Sequence, residues 1–144
     1  AGQTEHGKIL ITSAEAPGLI TDILVVKPEI IKTHRDDIRK LLKAWFKALD
    51  FIKNKPHEAA KIMGDILGLP PEEIQGMLTG LRFSSYKDNL AYFGVSDKEN
   101  QFNKLFKEAI EIWVKEGSVK KEALDKNYNP SDPTLLKDLK TSAK

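Results

Sequence analysis

The 144-residue chain contains no cysteine, which excludes disulfides, thiolate metal sites and cysteine nucleophiles together. This leaves the compartment open, because exported and cytosolic proteins both occur without cysteine. Excess charge of one sign is also missing: 23 Lys and Arg face 21 Asp and Glu, a formal net charge of +2. Such balance offers no broad field for nucleic acid. Long apolar runs are absent too, since Ile9-Leu10-Ile11 and Ile23-Leu24-Val25-Val26 fall far short of the roughly 20 residues that span a bilayer. The first seven residues, Ala1 to Gly7, have neither a basic nor an apolar leader region, so any export signal is expected to lie outside this chain. His6, His34 and His57 are not at metal-ligand spacing, and no G-x-G-x-x-G, G-x-x-x-x-G-K-[ST] or G-x-S-x-G occurs. A non-enzymatic protein with no catalytic residues, no cofactor and no metal is expected.

Hydrophobic residues make up 40% of the chain and charged residues 31%, the balance of a globular protein and not of a disordered one. Residues 8–12 and 22–27 are short β-branched runs without helical spacing, and read as two strands covered on both faces. Between them, Ser13-Ala14-Glu15-Ala16-Pro17-Gly18 carries a turn signal. From Thr33 the period becomes helical. Ile38, Leu41, Leu42, Trp45, Phe46, Leu49 and Ile52 form one apolar stripe capped by Thr33 and stopped at Asn54-Lys55-Pro56. A second helix is expected from Pro56 to Leu67, with Ile62, Ile66 and Leu67 among its inward residues and Gly68 as its stop. A third starts at Pro70-Pro71. A short helix over Lys87 to Phe93 follows. The next is a long helix opened by Ser96-Asp97-Lys98-Glu99, with Phe102, Phe106, Ile110, Ile112 and Trp113 inward and Gly117 as its end. A last helix begins after Asp132-Pro133. The expected fold is α/β, two strands plus about six helices, arranged as one domain or partial lobe over 1–144: strands in 8–28, helices in 29–144. Two strands make a poor free-standing sheet, so strand partners from a missing segment or another chain are expected.

Arg35, Arg39, Lys43 and Lys47 recur at four-residue steps along the first long helix. Asp36, Asp37 and Asp50 share that helix, so a solvated face is expected and not a nucleic-acid site. The adjacent carboxylates Asp36-Asp37 and Glu72-Glu73 fit the helix dipole better than catalysis. The segment between the strands places Thr12, Ser13 and Glu15 after one strand and Asp22 at the start of the next, where open α/β sheets bind ligands. Local turn hydrogen bonds by Ser13 and Asp22 are the competing role.

The stretch Ile9-Leu10-Ile11-Thr12-Ser13-Ala14-Glu15-Ala16-Pro17-Gly18-Leu19-Ile20-Thr21-Asp22-Ile23-Leu24-Val25-Val26 resembles the crossover segment of the NitT/TauT group of ABC-transporter substrate-binding proteins, which take up nitrate, sulfonates, taurine and thiamine precursors. Similarity continues through Leu41-Leu42-Lys43-Ala44-Trp45, Asn54-Lys55-Pro56-His57-Glu58-Ala59 and Pro70-Pro71-Glu72-Glu73. It then takes in Asp88-Asn89-Leu90-Ala91-Tyr92-Phe93, Ile112-Trp113-Val114-Lys115-Glu116-Gly117 and Asp132-Pro133. This resemblance implies the C-terminal half of a two-lobed, type II periplasmic-binding-protein fold, the helix-rich part of one lobe with strands 8–28 at the inter-lobe crossover. It also implies a small anionic or zwitterionic ligand, an ABC permease as membrane partner, and a periplasmic or extracellular location with attachment through the permease or a lipid anchor outside this chain. Thr12 and Ser13 are then expected as donors to an anionic head group, and Asp22 as acceptor for an amine or hydroxyl. Glu15 is a further ligand-binding residue. An unpaired Asp22 would repel an anion, so it favours an amine-bearing ligand or a lysine partner in the missing part.

Overall fold

A computed structural model describes residues 6–16, 20–95, 99–124 and 129–141. Seven α-helices run through them: α1 (Pro28–Thr33), α2 (Arg35–Asn54), α3 (Pro56–Leu67), α4 (Pro71–Leu78), α5 (Tyr86–Tyr92), α6 (Gln101–Lys115) and α7 (Thr134–Thr141). Short 3-10 turns occupy Ser13–Glu15 and Lys121–Leu124.

The α/β expectation is corrected: the described residues contain no strand and no sheet. The segments 8–12 and 22–27 are irregular and mostly exposed. Ile9 to Ile11 and Ile23 to Val26 make no backbone hydrogen bond with another described residue. Their β-branched composition suits a pleated, covered surface, but a strand exists only when a neighbouring backbone accepts its ladder, and the described part of this chain supplies none. The expected strands at 8–28 therefore do not form here.

Punctuation sets the helices where the sequence indicated. Pro56 and Pro71 sit at first-turn positions, where a missing N–H costs nothing. Gly68 stops α3 in the left-handed region at φ 69°, a conformation that suits glycine. The start of the long helix differs from expectation. Thr33 does not cap α2 but closes the extra helix α1, its hydroxyl donating to the Glu29 carbonyl at 2.9 Å, and α2 begins after His34. Of the expected cap Ser96-Asp97-Lys98-Glu99, residues 96–98 lie outside the described residues. Asn100 caps α6, its side chain accepting from the Asn103 N–H at 2.9 Å. Asp132 caps α7 by accepting from the Thr134 N–H at 3.0 Å.

The buried apolar core consists of Ile38 on α2, Ala59 and Ala60 on α3, Ile74 on α4, and Leu135, Leu136 and Leu139 on α7. Helix α3 packs on both α2 and α4, and α7 packs on α2 and α5. Polar contacts fasten α7 in place. Arg35 donates to Asp138 Oδ2 from Nε at 3.0 Å and from Nη2 at 2.7 Å, and Nη2 also reaches the Thr134 hydroxyl at 2.9 Å. The Tyr86 hydroxyl donates to the Leu136 carbonyl at 2.7 Å, while its ring meets Phe46 edge-on at 5.4 Å between centroids. Helix α6 contacts the Lys121–Leu124 turn and joins α5 through Phe93 and Phe102, 5.4 Å apart.

Much of the expected inner surface is not covered. Leu41 and Trp45 on α2, Ile62, Ile66 and Leu67 on α3, and Ile112 and Trp113 on α6 are all exposed.

Candidate functional site

Thr12, Ser13 and Glu15 are brought together by a single tight turn. Thr12 is extended, with φ −127° and ψ 162°. The chain then folds back, so that the Glu15 N–H donates to the Thr12 carbonyl at 3.1 Å and the Ala16 N–H donates to the Ser13 carbonyl at 3.2 Å. The Glu15 carboxylate accepts from the Thr12 N–H at 3.2 Å, a reciprocal arrangement that satisfies donors otherwise left open at the start of a helical turn. Both side-chain hydroxyls remain exposed. Residues 17–19, including the Pro17-Gly18 signal, lie outside the described residues. Asp22 stands beyond them, exposed, and among the described residues no hydrogen bond or ion pair joins it to the Thr12–Glu15 turn. Three of the four expected ligand-binding residues therefore share one exposed turn, and the fourth stands apart from it.

The neighbour of this region was not legible in the sequence. The Thr21 hydroxyl lies 3.3 Å from the Tyr92 hydroxyl, 71 residues away, which ties the segment before α1 to the end of α5. Tyr92 also joins the aromatic group of Phe93 and Phe102. No spacing rule links positions so distant, and only the aromatic pair Tyr92-Phe93 beside a helix end hints at a contact surface.

Two shallow depressions open to solvent elsewhere. One, of about 360 Å³, is lined by Ile52, Pro56, His57, Gln75, Leu78, Thr79 and Phe83. The Gln75 amide nitrogen approaches His57 Nδ1 at 2.7 Å there. The other is a polar trough on α6 flanked by Asn103, Lys107 and Glu111. Neither contains Thr12, Ser13, Glu15 or Asp22. The described residues hold no group of three or more His, Asp or Glu placed to bind a metal ion, and none of their helices is long and apolar enough to cross a membrane.

The charge pattern is largely spent on local structure. In the basic row, Arg35 is committed to Asp138, and Arg39 Nη2 lies 3.1 Å from Asp36 Oδ1. A phosphate track would need these cations turned outward together. Asp88 is held below the ordinary carboxylate range, first by the Ser85 hydroxyl and backbone N–H that donate to it at 2.7 and 2.8 Å, with help from nearby Arg82 and Lys87. Burial pushes the Tyr86 hydroxyl above its ordinary value. Both groups serve the cap and seat of α5. Compared with known proteins, the chain matches no protein-family model, no curated protein and no solved structure.

Proposed function

We propose that this chain is the C-terminal part of the solute-binding component of an ABC importer. It would work outside the cytoplasmic membrane with a permease as its partner, capturing a small anionic or zwitterionic solute of the sulfonate, nitrate or thiamine-precursor class. The observation that carries this reading is the combination of an unfinished surface with the ordered resemblance along the chain. Apolar segments at 9–11 and 23–25 and apolar faces on α2, α3 and α6 are exposed, and the candidate turn Thr12–Glu15 is exposed as well. A cleft between two bodies accounts for both. The rest of the component covers the apolar surface and provides the opposing wall. Solute that bridges the two walls stabilises the closed arrangement through contacts absent when it is open, and so shifts an opening equilibrium.

In this reading the Thr12 and Ser13 hydroxyls donate to the anionic head of the solute, and Asp22 accepts from its amine or hydroxyl. Glu15 shapes the turn through its bond to the Thr12 N–H and contributes less directly. The test is calorimetric titration of the assembly containing this chain with taurine, nitrate and a thiamine-precursor pyrimidine. One class is expected to bind saturably. Asp22→Ala is expected to weaken that binding about tenfold or more, the usual scale for loss of a charged hydrogen bond. Unchanged affinity removes Asp22 from the site, and no binding of any class contradicts the transport reading.

A second reading is favoured by one specific feature, the exposed pairs Leu41 with Trp45 on α2 and Ile62 with Ile66 on α3. Four-residue spacing places each pair on one helix face, as in a helical protein-interaction module without small ligand. That module binds a partner chain and leaves all three solutes unbound.

A further inference from the structure

Between residues 20 and 27 the chain has little to hold it. Ile20, Leu24 and Val25 are 78%, 58% and 78% exposed, so apolar burial does not seat the segment. Ile23 to Val26 gain no backbone hydrogen bond from another described residue. One end is fixed where Pro28 opens α1. At the other, the Thr21 and Tyr92 hydroxyls stand 3.3 Å apart. Tyr92 is the last residue of α5 and is half-buried. Its ring meets Phe93 edge-on at 5.5 Å and Phe102 at 6.3 Å between centroids, and Phe102 continues to Phe106 at 5.9 Å. This aromatic group joins α5 to α6 and gives the Tyr92 ring a firm seat. Phe93, Phe102 and Phe106 bring no polar atom to it; the hydroxyl of the group belongs to Tyr92 and faces Thr21. A phenylalanine would pack in the same place, so packing alone gives no reason for that hydroxyl.

We infer that Tyr92 anchors the segment ahead of α1 and, through Thr21, positions the Asp22 carboxylate for an amine-bearing solute. The solute half rests on the proposed function; the anchoring does not. Consecutive Cα atoms are about 3.8 Å apart, so fixing the Thr21 side chain confines the place from which Asp22 reaches. Asp22 itself is exposed, and no packing orients it. A carboxylate on a loose segment loses freedom when it takes up a solute amine, and one on an anchored segment loses less. Tyr92 touches no solute in this arrangement and is a positioning residue. At 3.3 Å the hydroxyls are farther apart than the usual separation of about 2.7–2.8 Å. The contact is therefore weak, and its removal is expected to cost less affinity than removal of Asp22.

The test compares Tyr92→Phe, Thr21→Val and Thr21→Ser with the parent chain, first without solute. By nitrogen-15 relaxation, backbone order parameters at Thr21 and Asp22 are expected to fall into the flexible range, below about 0.6, in Tyr92→Phe and Thr21→Val. Thr21→Ser keeps a hydroxyl and is expected to keep the parent value. Tyr86→Phe removes the other hydroxyl of α5, which donates to the Leu136 carbonyl, and is expected to leave Thr21 and Asp22 unchanged. The assembly containing this chain is then titrated calorimetrically with taurine, a thiamine-precursor pyrimidine and nitrate. Binding of an amine-bearing solute is expected to weaken about three- to fivefold in Tyr92→Phe, with no further loss when Tyr92→Phe is added to Asp22→Ala. A merely structural role gives losses that add. Unchanged order at Thr21 and Asp22 overturns the inference, as do order lost with affinity kept, additive losses, or binding of nitrate alone. Order lost with no solute bound sinks the transport reading and leaves the anchoring standing; an amine-bearing solute bound with order unchanged does the reverse.

Discussion

Replacing Ile74 by Ala is expected to cost about 2–5 kcal/mol of folding stability, the range for removing a buried branched side chain and leaving a cavity. Ile74 is 3% exposed and is the buried residue of α4. That helix has eight residues, too few to persist on its own, where roughly 12–15 are marginal. Its stability therefore comes from packing. It lies against α3, whose buried residues are the small Ala59, Ala60 and Gly64, so the neighbouring helix offers little bulk to collapse into a void. Domains are commonly stable by only about 5–15 kcal/mol, and this one buries few large side chains. Urea denaturation followed by circular dichroism is expected to show a markedly lower midpoint. A loss below about 1 kcal/mol would show that α4 is held by something other than this contact.

Gly64→Ala is expected to destabilise the same corner by about 1–3 kcal/mol, the scale of overpacking. A Cβ at Gly64 would stand 2.5 Å from the Leu69 carbonyl oxygen, a backbone atom that cannot swing aside. The Gly64 carbonyl meanwhile accepts from the Leu69 N–H at 3.1 Å, so the crowded turn is also hydrogen-bonded in place. Gly76, within α4, is the internal control, since a Cβ there meets nothing within 4 Å. Gly76→Ala is expected to stabilise by roughly 0.5–1 kcal/mol, because glycine carries a conformational penalty inside helices. Thermal melts of the two variants should move in opposite directions. A shift of the same sign and size in both would mean that helix propensity outweighs the close approach at Leu69.

The helices were legible because their signals are local. Pro56, Gly68, Pro71 and Gly117 mark boundaries by rules that act within one turn, and the stripe from Ile38 to Ile52 spans enough turns to define a period. Helix α1 is not legible in the sequence, since six residues show too little of that period. The two expected strands fail for a different reason. β-Branched runs report a preference for a covered, paired surface, and that surface is not among the described residues. The same gap explains the overestimated core. Leu41, Trp45, Ile112 and Trp113 lie on apolar stripes, and periodicity cannot say whether a stripe meets this chain or another one. Of the candidate site, the turn signal around Ser13 was readable, whereas the contact of Thr21 with Tyr92 depends on tertiary structure alone.

The proposed function makes this chain one part of a larger assembly. Its most direct test is the mass of the native particle, by light scattering alongside denaturing mass spectrometry on the same sample, purified from the producing cells through this chain. A particle well above 16.2 kDa, from a longer polypeptide or a tight complex with a second one, is the expected result. A lone 16.2 kDa monomer that unfolds in a single cooperative transition would contradict it, because the apolar segments at 9–11 and 23–26 would then need no cover.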